Sequence, residues 1–211
     1  TLINGGTIVV SAESAFGANP GSFTADQITF NGGSFKALGS LSFNSNRGIT
    51  LSSGGGTFNS NGQTITLTSV VAGTGSFSKT GSGSLILAGT NTYSGASSVT
   101  DGTLYVNGST ASGSAVSVTS SGSLAGNGTV SGTVSLSAGV APGATANSVG
   151  NLSTGAFTFN NGSTYTFNIS NVSGTAGTNW DLITSSGTIN FNAAPAARPG
   201  ARRDGQRLRM A

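Results

Sequence analysis

In this chain apolar residues come in bursts of two to five, and a turn containing glycine or asparagine closes nearly every burst. Thr64-Ile65-Thr66-Leu67-Thr68, Ser84-Leu85-Ile86-Leu87 and Gly102-Thr103-Leu104-Tyr105-Val106 are representative. Inside each burst the apolar side chains alternate with Ser, Thr or Asn, which places them on one face of an extended strand. No stretch sustains a helical apolar period with caps, so almost no helix is expected. Asn4-Gly5-Gly6 and Asn31-Gly32-Gly33 fit the same punctuation, because Gly has no Cβ and Asn tolerates positive φ. Residues 11–21 are the least strand-like part of the first half and read as a longer loop with room for one helical turn.

Two architectures accept many short strands with Gly turns: an antiparallel sandwich or barrel, and a parallel solenoid. Sandwich strands usually run to about five or six residues. A solenoid uses shorter ones, with a turn at each corner and a narrow apolar stripe that neighbouring coils bury by stacking. The phrase Gly-Thr-apolar-x-apolar recurs at Gly6-Thr7-Ile8-Val9-Val10, Gly102-Thr103-Leu104-Tyr105-Val106 and Gly132-Thr133-Val134-Ser135-Leu136. The expectation is an all-β fold, a right-handed parallel β-helix (β-solenoid) with short strands and Gly/Asn turns. Asn4, Asn31, Asn61, Asn107, Asn127 and Asn161 sit at turns and are expected to stack as side-chain ladders between coils. Residues 1–140 read as the repeat region and 141–192 as closing coils of the same solenoid, rich in aromatic strands. Residues 193–211, AAPAARPGARRDGQRLRMA, lose the alternation and read as a disordered Arg/Ala/Pro tail.

Composition narrows the function. Charged residues are 6% of the chain, against about 25% in an ordinary soluble domain. Disordered chains couple low hydrophobicity to high charge, whereas this one is 35% hydrophobic with its apolar residues patterned throughout. Cysteine and histidine are absent, which removes disulfides and the commonest general base and metal ligand. Most of the basic residues lie in the tail: Arg198, Arg202, Arg203, Arg207 and Arg209. The body up to Asn192 has Lys36, Arg47 and Lys79 against Glu13, Asp26, Asp101 and Asp181 and is near neutral, so no nucleic-acid surface is expected on it. No leader or membrane-spanning run is recognisable, and a start at Thr1 inside a strand-like pattern reads as a fragment.

One stretch, residues 73–109, is more specific than the rest. Lys79-Thr80-Gly81-Ser82-Gly83 leads into the alternating Leu85-Ile86-Leu87. Gly89-Thr90-Asn91-Thr92-Tyr93-Ser94-Gly95 follows, and then Val99-Thr100-Asp101-Gly102-Thr103-Leu104. These residues closely resemble the autotransporter-associated β-strand repeat. Further on, residues from Ala141-Pro142-Gly143 to Trp180-Asp181-Leu182-Ile183 resemble the closing region of such passengers. The resemblance implies a β-helical passenger, secreted or at the bacterial cell surface, with outer-membrane attachment through segments outside this stretch. It brings no catalytic, cofactor-binding or metal-binding residues. The matching positions, Lys79, Gly81, Gly83, Leu85, Leu87, Asn91, Tyr93, Gly95, Gly102, Thr103 and Leu104, are read as corner and packing residues.

An enzyme on this fold needs clustered carboxylates, either a pair across a glycosidic bond or several around a calcium ion. Glu13, Asp26, Asp101 and Asp181 are too few and too dispersed for that, and Gly54-Gly55-Gly56 lacks the Asp of a calcium-binding glycine repeat. No phosphate-binding loop ends in Gly-Lys-Ser/Thr. Thr64, Thr66 and Thr68 share one face and raise the question of a flat threonine array. Tyr93, Tyr105 and Trp180 are read as surface aromatics able to stack on sugars, with Trp180 packing beside Leu182. The reading is therefore a non-enzymatic passenger stalk or adhesin without cofactors. Its expected partners are host or environmental glycans or surface proteins, and exposed coil edges favour self-association. A carbohydrate-binding or carbohydrate-acting β-helix is the alternative.

Overall fold

The computed structural model describes residues 1–192, so the tail expected at 193–211 lies outside the described residues. The chain winds into a parallel β-solenoid of about seven turns. Among the described residues every ladder between named strands is parallel, which excludes the sandwich. Three faces are formed. The first stacks Leu2–Ile3, Thr24–Phe30, Arg47–Leu51 and Val71–Gly73. After an irregular rung it resumes with Ser109–Thr110, Thr129–Val130, Asn151–Thr154 and Leu182–Ser185. The second runs through Thr7–Val10, Gly33–Ala37, Gly56–Asn59 and Phe77–Thr80 to Val134–Leu136, Phe157–Phe159 and Ile189–Phe191. The third holds Leu41–Phe43, Thr64–Leu67, Ser84–Leu87, Gly139–Pro142 and Thr164–Tyr165. Ser97–Val106 and Val116–Gly126 are long because each bends from the second face into the third.

Alternation in sequence becomes columns in space. On the second face Phe35, Phe58, Lys79, Val99, Val118 and Leu136 lie in register, one per coil. On the third, Leu41, Ile65, Leu85, Leu104, Leu124 and Val140 do the same. The apolar members of both columns are buried. Each fully buried aliphatic side chain contributes roughly 1.5–3 kcal/mol, and a solenoid accumulates that contribution coil by coil. Aromatic rings step diagonally between coils: Phe30 to Phe58 at 4.9 Å, Phe58 to Phe77 at 5.0 Å, and Phe77 to Tyr93 at 5.5 Å between centroids.

Coil length is not constant. Register pairs Thr7 with Ser34, Phe77 with Ser97, Val116 with Val134 and Phe157 with Ile189, so the coils are shortest in the middle. The extra residues leave as two excursions, 11–23 and 166–181. The first contains one short 3-10 turn, Glu13–Phe16, and its Phe16 ring packs on Phe35 and Phe43.

One expectation is corrected. Among the six turn asparagines only one pair stacks: Asn31 Nδ2 donates to Asn4 Oδ1 at 2.8 Å, but the next coil presents Gly54, whose N–H reaches Asn31 Oδ1. Asn61 and Asn107 instead donate to the backbone carbonyls of Ala37 and Ala144. Unequal coils carry turn residues out of register, so turns do not stack as walls do. The question raised by the threonines is answered in the same columns: Thr66 has Ser42 on one side and Ile86 on the other, so the threonines of this strand do not continue into an array.

Inward and outward positions are expected to differ sharply in tolerance. Leu85→Asp or Leu104→Asp buries an unpaired carboxylate in the column and is expected to abolish cooperative urea unfolding. The outward change Thr66→Asp is expected to cost no more than about 0.5 kcal/mol. Cooperative unfolding retained by both leucine variants contradicts this register.

Candidate functional site

The repeat-like stretch is where polar side chains enter the solenoid. Lys79 shares the inward set of Phe77–Thr80 with Phe77 and is fully buried. It stands in register between Phe58 and Val99, so its alkyl stem occupies a place in an apolar column. Its ammonium lies at the corner between the second and third faces. There Nζ donates to the carbonyls of Gly81 at 2.6 Å, Asp101 at 2.9 Å and Thr80 at 3.0 Å. The corner depends on glycine. Gly102 has φ 66°, and a Cβ there would lie 2.7 Å from Lys79 Nζ and closer still to the Gly83 carbonyl. Burial pulls the Lys79 pKa from 10.5 down to about 8, and the Asp101 charge opposes that shift.

Asn91 serves the opposite corner. Residues 90–94 form the irregular rung of the first face, where no strand continues the ladder. The Asn91 side chain replaces it: Oδ1 accepts the Val71 N–H from the coil below at 2.9 Å. Its Nδ2 donates to Gly89 at 2.9 Å and to Ser109 in the coil above at 3.0 Å. Two residues on, Tyr93 is fully buried and stacked on Phe77, the planes 20° apart. Its hydroxyl shares a hydrogen bond of 2.8 Å with Ser97 Oγ, which in turn meets Ser114 Oγ at 3.2 Å. Burial raises the Tyr93 pKa, and these hydroxyl partners partly offset the rise. Leu85, Leu87 and Leu104 are fully buried wall residues. Thr103 sits between Ser84 and Ser123 in the third face. Gly81, Gly83 and Gly95 lie where a Cβ would strike the coil beneath.

Residues 77–106 match the family model of the passenger-associated-transport-repeat. The chain carries an autotransporter passenger repeat. A curated relative, described as an adhesin autotransporter (BmaC) of Brucella suis biovar 1 (strain 1330), is 35% identical over 109 residues. That match covers 51% of this chain and 3% of the relative, so the chain spans a small part of the protein it resembles.

Three of the four carboxylates among the described residues are engaged, each separately. Asp101 Oδ1 accepts the Gly102 N–H at 2.8 Å. Asp181, buried, accepts from the Gly150 N–H at 3.0 Å and from both the N–H and Nδ2 of Asn168 at 2.8 Å. Glu13 pairs with Arg47 at 2.7 Å. Asp26 is exposed. Among the described residues no three His, Cys, Asp or Glu side chains come together as a metal site.

The aromatic expectation is corrected. Tyr93 is fully buried and Tyr105 only 9% exposed, so neither presents a ring to a sugar. Trp180 is half-buried and lines a shallow cavity with Phe167, Ile169 and Val172. Arg47 was not singled out from sequence, yet it is fully buried. It donates to Glu13 and to the carbonyls of Phe16, Gly17 and Ala18, holding the 11–23 excursion against the solenoid. The signal was present: alternation with Ile49 and Leu51 places Arg47 on the inward side of its strand.

The buried ammonium makes stability depend on pH with a definite sign. Folding lowers the Lys79 pKa, so between pH 8 and pH 10 the unfolded chain binds more protons than the folded one, and stability rises with pH. The tyrosines act the other way above pH 10, because their folded pKa values are raised above the ordinary 10.0. Urea midpoints measured from pH 7.5 to pH 10 are expected to climb in the wild type and to stay flat across that window in Lys79→Met.

Proposed function

We propose that this segment is a non-enzymatic structural and adhesive stretch of a bacterial passenger, secreted or held at the cell surface. One observation carries the reading: the characteristic polar residues of the repeat, Lys79, Asn91 and Tyr93, turn inward and use their polar atoms to join one coil to the next. A site that acts on a substrate must offer polar groups to it, whereas Lys79 and Asn91 offer theirs to the backbone and Tyr93 offers its hydroxyl to the buried Ser97. The repeat therefore builds length, and recognition belongs to the outer faces and the excursions. The matched relative's description as an adhesin supports the adhesive part of the proposal. Attachment to the outer membrane, through segments beyond this stretch, completes it. The partners it proposes are glycans or surface proteins of a host or of the surroundings, met by a surface dominated by hydroxyl and amide groups.

The test uses cells that make the whole protein and a deletion strain. The wild type is expected to adhere to immobilised matrix proteins or to a polysaccharide panel, and the deletion strain to lose that adhesion. The same panel, incubated with the purified protein, is expected to show no release of reducing sugar or unsaturated product. Turnover would overturn the structural reading in favour of a carbohydrate-acting β-helix. Equal adhesion by the two strains would remove the adhesive part.

A further inference from the structure

The 166–181 excursion carries chemistry that a stacking stalk does not use. It is a built loop. Asp181 closes its base through Gly150 and Asn168. Above the base, Ser170 donates its N–H (2.7 Å) and hydroxyl (3.1 Å) to the Asn179 carbonyl, and the Thr175 N–H reaches Asn179 Oδ1 at 2.8 Å. The tip is Asn171-Val172-Ser173, turned by a bond from the Gly174 N–H to the Asn171 carbonyl. Asn-x-Ser/Thr is the acceptor pattern for N-linked glycans.

The pattern alone decides nothing. It begins at Asn107, Asn127, Asn151, Asn161, Asn168 and Asn171, about as often as chance gives in a chain this rich in Asn, Ser and Thr. The backbone separates these triplets. In the first five, the N–H of the third residue is already held by a carbonyl outside its own triplet. Ser109 bonds to Gly89, Thr129 to Gly108, Ser153 to Gly128, Ser163 to Asn160 and Ser170 to Asn179. Only at the tip does that N–H, from Ser173, return to the carboxamide of its own asparagine, Asn171 Oδ1, at 3.0 Å. The amide nitrogens exclude two of the six: Asn168 Nδ2 is bound to Asp181 and Asn107 Nδ2 to Ala144. Among the described residues Asn127, Asn151, Asn161 and Asn171 keep Nδ2 without an acceptor, and of these only Asn171 has its Oδ1 held by the third residue of its own triplet. Asn171, Val172 and Ser173 are all exposed, Val172 at 80%.

We propose that Asn171 is an N-glycan acceptor site, modified by an enzyme that takes a sugar activated at its anomeric carbon by a phosphate ester. The bond from Asn171 Nδ2 to the anomeric carbon forms as the bond from that carbon to phosphate oxygen breaks. The phosphate group leaves with the electron pair, and the proton lost from Nδ2 passes to a base of the enzyme. No oxidant or reductant enters. The bond from Ser173 to Oδ1 polarises the carboxamide and fixes its orientation with Nδ2 free. The position also has a physical use. Phe167, Ile169 and Val172 are 48%, 53% and 80% exposed and share a cavity with Trp180, an apolar patch of the kind that drives association. A glycan on Asn171 stands between Ile169 and Val172 and covers it.

The inference rests on the surface reading, so the experiment keeps the two apart. The full protein is purified from the bacterium that makes it and cut with chymotrypsin, which releases residues 168–180 after Phe167 and Trp180. Fragmentation that preserves glycans is expected to place a sugar on Asn171 and none on Asn168. A single hexose points to a nucleotide-activated donor, and a preassembled oligosaccharide to a lipid-pyrophosphate donor. Ser173→Ala is expected to abolish occupancy with unchanged far-UV circular dichroism and to increase self-association. Ser173→Thr is expected to retain the sugar. A bare Asn171 overturns the proposal, as do equal occupancy at Asn107 or Asn168 and sugar found only on Ser or Thr hydroxyls. Protease shaving of the same cells tests location separately: a protein shielded inside the cell counts against the surface reading whatever Asn171 carries.

Discussion

A parallel coil pairs its backbone with its neighbours only while it runs straight. At every corner the carbonyls and N–H groups turn off the ladder, and in the interior water cannot take them. A buried group left without a partner costs about 1–3 kcal/mol, and a solenoid repeats the problem at each turn. The passenger repeat meets it with side chains. Lys79 brings three donors to three carbonyls at one corner, and Asn91 supplies an acceptor and two donors at another. The apolar columns need these bonds, because coils stack closely only when the corners between them are satisfied.

The walls were legible in sequence and the corners only in part. Period-two alternation decides which side chains share a face, and Leu85, Leu87 and Leu104 are buried as that periodicity requires. The solenoid followed from the shortness of the strands and the recurrence of one phrase. Turn residues were harder to place, because a ladder between coils needs equal spacing. Asn31 finds Asn4, but Asn61 and Asn107 find carbonyls, since excursions and coil lengths differ on the way round. For Tyr93 the sequence supports two readings, a packing residue of the repeat and a surface ring, and the structure takes the first. What drew it inside is the stack on Phe77 and the hydroxyl chain through Ser97 and Ser114, contacts between separate coils that no local pattern displays.

The scarcity of charge takes on a different meaning in the structure. Alternation with Phe77 and with Ile49 and Leu51 puts Lys79 and Arg47 in inward positions, where a solvated charge does not belong. Both are held by backbone carbonyls, with a single carboxylate near each: Glu13 on Arg47, Asp101 close to Lys79. Buried charges that are paired and fully hydrogen-bonded rarely add much net stability, but removing one partner is costly.

Both excursions follow the same rule with opposite sign. At the base of residues 11–23 the loose backbone groups are carbonyls, and Arg47, a pure donor, gathers those of Phe16, Gly17 and Ala18. At the base of residues 166–181 they are N–H groups, and Asp181, a pure acceptor, gathers those of Gly150 and Asn168. A residue inside a coil is fixed by the coils above and below it, so a change there is felt through the stack. A loop tied down at its base by one ion can vary at its tip without disturbing the columns. Chemistry directed at the outside world therefore has room on the excursions, while the repeat between them keeps the polar atoms of Lys79, Asn91 and Tyr93 for the interior.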